Sequence, residues 1–170
     1  LSYGIAANLG VTDGDAAFTV EGEVNAAYMG FFAGIWAETL HDSADDVEIE
    51  LSFGYGTTLG TAEVALTYTA YYIDNDYDTQ DLTLAIGVPV SDMVALGAAA
   101  AYDLDAEVWD ISAGIEATPR EKLSLAALIG DDGTGLYWEA GATYDLPNNA
   151  FVGLLYEDSE YDVETETFSL

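Results

Sequence analysis

The chain has no cysteine, one histidine, three prolines and only two basic side chains, Arg120 and Lys122. Without cysteine there are no disulfides and no thiolate-bound metals, although this leaves the cellular compartment open. Two cations in 170 residues exclude nucleic acid as a partner, because phosphate binding depends on Lys and Arg. With a single histidine, His41, imidazole chemistry has one candidate base. Long apolar runs are also missing. The nearest candidates, Ala26 to Ala37 and Met93 to Tyr102, are Gly/Ala-rich and fall short of the roughly 18 to 20 residues a membrane helix needs. The sequence does not open with a basic stretch followed by an apolar one, so an exported protein would be represented here by its mature form.

What is present pulls in two directions. Asp and Glu total 32, and the formal net charge is −30. A disordered acidic tail could carry that charge, but such tails are poor in aromatics and β-branched residues. Here 51% of the residues are hydrophobic and 12% aromatic, which excludes disorder. A soluble surface usually intersperses both charge signs. Carboxylates without cations repel one another, so the charge has to be spread out or segregated. Divalent ions or cationic partners are its natural complements.

The segregation can be read along the chain. Val47, Ile49, Leu51, Phe53 and Tyr55 alternate with Glu48, Glu50, Ser52, Gly54 and Gly56. Successive strand side chains point to opposite faces, so this segment has one apolar and one polar face. The same alternation covers Ala62 to Tyr72, Asp81 to Val88, Trp109 to Glu116 and Leu136 to Asp145. About twelve such segments, each of roughly 8 to 12 residues, can be counted, against about 9 to 11 for a tilted membrane strand. They start near Leu1, Ala17, Phe31, Val47, Ala62, Gln80, Val94, Val108, Leu123, Leu136, Ala150 and Val163.

Two kinds of connection alternate between the segments. Met29-Gly30, Thr57 to Gly60, Ser91-Asp92, Pro119 to Glu121 and Leu146 to Asn149 are short and free of acid runs. Thr12 to Asp15, His41 to Asp46, Asp74 to Asp78, Asp103 to Glu107, Asp131 to Thr134 and Glu157 to Asp162 are more acidic and often longer. Opposite ends of an up-and-down barrel produce this pattern, with short periplasmic turns and longer outer loops. Aromatics near strand ends (Tyr28, Phe31, Tyr55, Tyr102, Trp109, Trp138 and Tyr144 among them) suit an interfacial girdle. The expected fold is therefore all-β: residues 1–170 as a single transmembrane up-and-down antiparallel β-barrel of about twelve strands. A soluble β-sandwich also alternates and is the competing fold.

On the barrel reading Glu21, Glu23, Glu48, Glu50, Glu63, Asp81, Asp110, Glu116, Glu139 and Asp145 point inward. So many unpaired charges are too costly for a dry core. A hydrated lumen lined by carboxylates draws cations and repels anions. The acidic loops offer Asp42, Asp45 and Asp46, and Asp74, Asp76 and Asp78, as oxygen ligands for loosely bound Ca²⁺ or Mg²⁺, without the Gly and distal Glu of an EF-hand. No tighter cofactor is expected. Enzyme chemistry finds little footing, since His41 lies in an acidic loop beside Ser43 with no nucleophile motif.

The segment from 9 to 72 resembles the proteobacterial TorF family of outer-membrane porins. Thr12-Asp13-Gly14-Asp15-Ala16 is followed by Gly30-Phe31-Phe32-Ala33-Gly34-Ile35-Trp36-Ala37, and then by Glu48 to Leu51, Gly54-Tyr55-Gly56 and Tyr68, Tyr71 and Tyr72. The family's Arg before the Thr-Asp-Gly turn is replaced by Leu9, and its Pro after the turn by Ala16. The resemblance implies a bacterial outer-membrane porin and lends no substrate. On the barrel reading the surroundings are a bilayer with lipopolysaccharide, small solutes or cations are the cargo, and a homo-oligomer is an option. An acidic structural protein, self-assembling at the cell surface through divalent cations, is the alternative. A barrel enzyme comes third.

Overall fold

The computed structural model describes residues 2–12, 15–40, 47–159 and 167–169. Its strands are β1 (Ser2–Thr12), β2 (Asp15–Tyr28), β3 (Phe31–Thr39), β4 (Val47–Leu59), β5 (Ala62–Ile73) and β6 (Asp76–Ser91). They continue as β7 (Val94–Asp103), β8 (Trp109–Arg120), β9 (Leu123–Asp131), β10 (Leu136–Leu146), β11 (Ala150–Ser159) and β12 (Thr167–Ser169). The ten strands β2 to β11 form one antiparallel up-and-down sheet, each paired with its sequence neighbours. The three residues of β12 pair with β11 through Leu155↔Ser169 to Glu157↔Thr167, and with β1 through Gly10↔Ser169 to Thr12↔Thr167. No helix among the described residues is long and apolar enough to cross a membrane.

Turn chemistry explains the short connections. Met29 (φ 51°) and Gly30 (φ 87°) join β2 to β3 in the left-handed region that two-residue hairpins require. Gly60 (φ 68°) does the same between β4 and β5. One expected loop is instead mostly strand. Only Asp74 (φ 53°) and Asn75 (φ 73°) turn the chain between β5 and β6, and β6 begins at Asp76 rather than near Gln80. Asn and Asp tolerate this backbone. The edge-to-face pair of Tyr72 and Tyr77, 5.9 Å between centroids, closes the hairpin just beyond the turn.

The packing is inverted relative to a soluble domain. Among the described residues only Ala70 and Thr69 have buried side chains. The large apolar residues are exposed: Ile35, Phe53, Leu84, Ile111 and Ile129 each show more than half of their surface. A two-sheet sandwich would bury these residues between its layers, but the described residues form one sheet, and none of them packs as a second layer on this face. A large exposed apolar face of this kind marks a surface that a partner or lipid covers. Aromatics border it at both ends. Phe31 packs edge-on to Tyr55 at 5.0 Å near the short turns, and Tyr102 lies 4.8 Å from Trp109 near the acidic loops.

Candidate functional site: the acidic inner face

Residues opposite each other on neighbouring strands share a face, so the ladder registers locate every expected inward carboxylate. Glu21, Glu38 and Glu48 form one rung across β2, β3 and β4. Glu23, Trp36, Glu50 and Tyr71 form the next, extending onto β5. Asp81 on β6 faces Thr69 on one side and Asp103 on the other. Asp110 opposes Ala101, and Glu139 opposes Glu157. All of these carboxylates except Glu23, which stands in the short-turn half of β2, lie in the half of their strands nearer the acidic loops.

Glu63, Glu116 and Asp145 lie towards the short turns. Glu63 opposes Gly87, and Glu116 opposes Ala95 and Ala126. Asp145 sits at the rim, exposed, with its N–H donating to the Lys122 carbonyl at 2.9 Å. Arg120 and Lys122, both exposed, lie at the same end. The expected inward set is thus split between two levels.

Sequence reasoning missed several inner-face residues. Glu38, Asp103 and Glu157 share rungs with Glu48, Asp81 and Glu139. Each ends a strand next to an acidic loop, so it reads as a loop residue unless the alternation is carried one step further. Glu157 on β11 and Glu38 on β3 are separated in strand order by β12, β1 and β2.

Aromatic and hydroxyl donors, rather than lysine or arginine, hold these carboxylates. Trp36 Nε1 donates to Glu21 Oε2 at 3.3 Å. Tyr71 Oη donates to Asp81 Oδ2 at 2.7 Å, and Thr83 Oγ1 to Asp81 Oδ1 at 3.1 Å. Tyr137 Oη donates to Asp110 Oδ1 at 2.9 Å, and Asn25 Nδ2 to Glu23 Oε2 at 2.9 Å. Neutral donors fix where a carboxylate points while leaving its charge uncompensated. Below this level the wall is bare. A cavity of about 610 Å³ is bounded by Ala85, Gly87, Gly97, Ala99 and Gly114, with Glu63, Glu116 and Glu139 on its margin.

The expected divalent-ion ligands divide differently. Asp42, Asp45, Asp46 and His41 lie outside the described residues. Asp74 belongs to the tight turn, where its Oδ1 accepts the Val47 N–H at 3.0 Å, while Asp76 and Asp78 lie on β6. Among the described residues no three His, Asp or Glu side chains group as a metal site.

The same architecture is found in solved porins. A KdgM porin aligns with a TM-score of 0.80 over 99% of this chain and 95% of its own, at 8% identity. A KdgM porin in complex with disordered oligogalacturonate gives 0.81 at 8% identity, with the same coverage. The NanC porin gives 0.78 at 9% identity, over 98% of this chain and 97% of its own. At such identities the likeness is one of fold. No protein-family model matches the chain, and no curated protein does.

Proposed function

We propose that the chain is an outer-membrane porin: a twelve-stranded barrel sealed through β12, carrying small solutes by diffusion and favouring cations. The observation that carries this reading is the inversion of the two faces. A continuous apolar face, exposed residue after residue, needs lipid to cover it. An inner face of unpaired carboxylates needs water. A bilayer around a hydrated lumen satisfies both. The porin fold of the solved neighbours and the TorF-like segment agree with it.

The lumen chemistry separates this chain from one of those neighbours. Oligogalacturonate, named in the KdgM complex, carries a carboxylate on each sugar. A wall bearing Glu21, Glu38, Glu48, Glu50, Asp81, Glu139 and Glu157, with Arg120 and Lys122 only at the far rim, repels such a polyanion. The fold is shared and the sign of the preferred solute is reversed. Around the barrel the partners are the bilayer and outer-leaflet lipopolysaccharide, with Ca²⁺ or Mg²⁺ loosely bridging acidic loops to its anionic headgroups.

Swelling of proteoliposomes tests the reading. Lysine and glutamate are similar in size and opposite in net charge. Lysine should enter faster; equal rates would remove the cation preference, and swelling with neither would remove the pore.

A further inference from the structure

Two aromatic side chains of the inner face lie directly opposite buried glycines. Phe32 on β3 opposes Gly54 on β4, and Tyr137 on β10 opposes Gly130 on β9. A glycine in a strand interior weakens the sheet and often marks a close approach by another group. An aromatic ring laid over a cross-strand glycine compensates by covering its bare backbone.

The Tyr137 pair has the clearer geometry. The ring occupies the space that a side chain at 130 would take. A methyl group there would overlap Tyr137 Cζ and Oη, with Cε1 2.6 Å away. No other atoms stand as close. At Gly54 the Leu66 carbonyl oxygen, 2.6 Å from such a methyl, would clash along with the Phe32 ring. The Tyr137 hydroxyl reaches beyond β9 to β8, where it donates to Asp110 Oδ1 at 2.9 Å, with Oδ2 at 3.2 Å. A side chain rooted on β10 and bonded to β8 has to lie flat across β9, and only glycine at 130 leaves room for it.

The geometry points to Gly130 and Tyr137 as a pair that sets the open cross-section of the lumen on its loop side. Glycine lets the ring lie along the wall, and the Asp110 carboxylate holds it there. Any side chain at 130 lifts the ring, and the free volume available to it is the lumen. Gly130 is thus a specificity-determining position without touching the solute. The inference rests on the porin reading, and the experiment separates the two.

Single-channel conductance is recorded for the wild type, Gly130→Ala, and Gly130→Ala combined with Tyr137→Ala. Insertion is checked by the heat-modifiable migration of folded barrels. Gly130→Ala should cut the unitary conductance by roughly half or more, and the double variant should restore it. A Gly130→Ala channel that conducts like the wild type overturns the inference. So does a double variant that stays as low as the single one. A silent wild type would instead overturn the porin reading. If Gly130→Ala does not insert, Tyr137→Phe keeps the ring and every carboxylate and removes only the anchor to Asp110. Its open-channel current should flicker between two levels, and a steady current at the wild-type level would contradict the anchored ring.

Discussion

The two ends of the inner face are built on different plans. Towards the acidic loops, rungs such as Glu21–Glu38–Glu48 and Glu139–Glu157 set like charges directly opposite each other. That arrangement is destabilising in any sheet. Here Trp36, Tyr71 and Tyr137 orient neighbouring carboxylates through hydrogen bonds. Towards the short turns the wall is mostly glycine and alanine, with Leu128 and Leu155 among them and Glu63 and Glu116 standing apart. The contrast teaches that the acidic load is concentrated rather than uniform. On the porin reading, selection by charge would fall to the loop side and free volume to the other.

The largest effect should come from confusing the two faces of one strand. Ile115, mid-way along β8, is 45% exposed on the apolar face, and Ser112 borders the cavity on the inner one. Ile115→Lys should cost roughly 2–4 kcal/mol in urea-dependent folding into vesicles. Ser112→Lys should cost far less, because the ammonium stays hydrated among carboxylates. Similar costs for both would mean the faces are misassigned.

Next in size is the contrast between the two ends. Replacing Glu48, Glu50, Glu139 and Glu157 together by Gln should lower the reversal potential in a salt gradient by roughly half or more. Replacing Glu63 and Glu116 should shift it less. The opposite ranking would move the selective region to the short-turn side.

A smaller effect concerns the donors. Tyr71→Phe removes the hydroxyl that holds Asp81 and should destabilise the folded protein by about 1 kcal/mol in the same urea titration. An unchanged midpoint would show that this hydrogen bond merely replaces one to water. The mildest expectation concerns screening. Cation preference should weaken as ionic strength rises from about 0.1 M to about 1 M, since the Debye length contracts from about 10 Å to about 3 Å. Indifference to salt would mean that size, rather than the carboxylate field, sorts the ions.

Much of the architecture was legible because period-two alternation and turn residues are local signals. The expected starts at Phe31, Val47, Ala62, Val94, Leu123, Leu136 and Ala150 coincide with β3, β4, β5, β7, β9, β10 and β11. The start of β6 was missed because Asp74 to Asp78 looks like a solvated loop. The cross-strand partner of Tyr77, which makes it strand, is visible only once Tyr72 is opposite. Alternation groups the carboxylates on one face of each strand, but it does not give their level along the strands, because register is a property of pairs of strands. Phe32 and Trp36 escaped for a related reason. In β3 the run Phe31-Phe32-Ala33-Gly34-Ile35-Trp36-Ala37 is apolar on both faces, so hydrophobicity alone cannot say which residues look inward. Gly130 is silent in sequence, since its role exists only beneath the ring of Tyr137.

The central claim is a water-filled passage whose carboxylates favour cations, and the reversal potential of the wild-type protein in a planar bilayer under a potassium chloride gradient tests it most directly. The account predicts stable unitary currents whose reversal potential has the sign set by potassium. Currents that reverse at zero, or with the sign set by chloride, would contradict it.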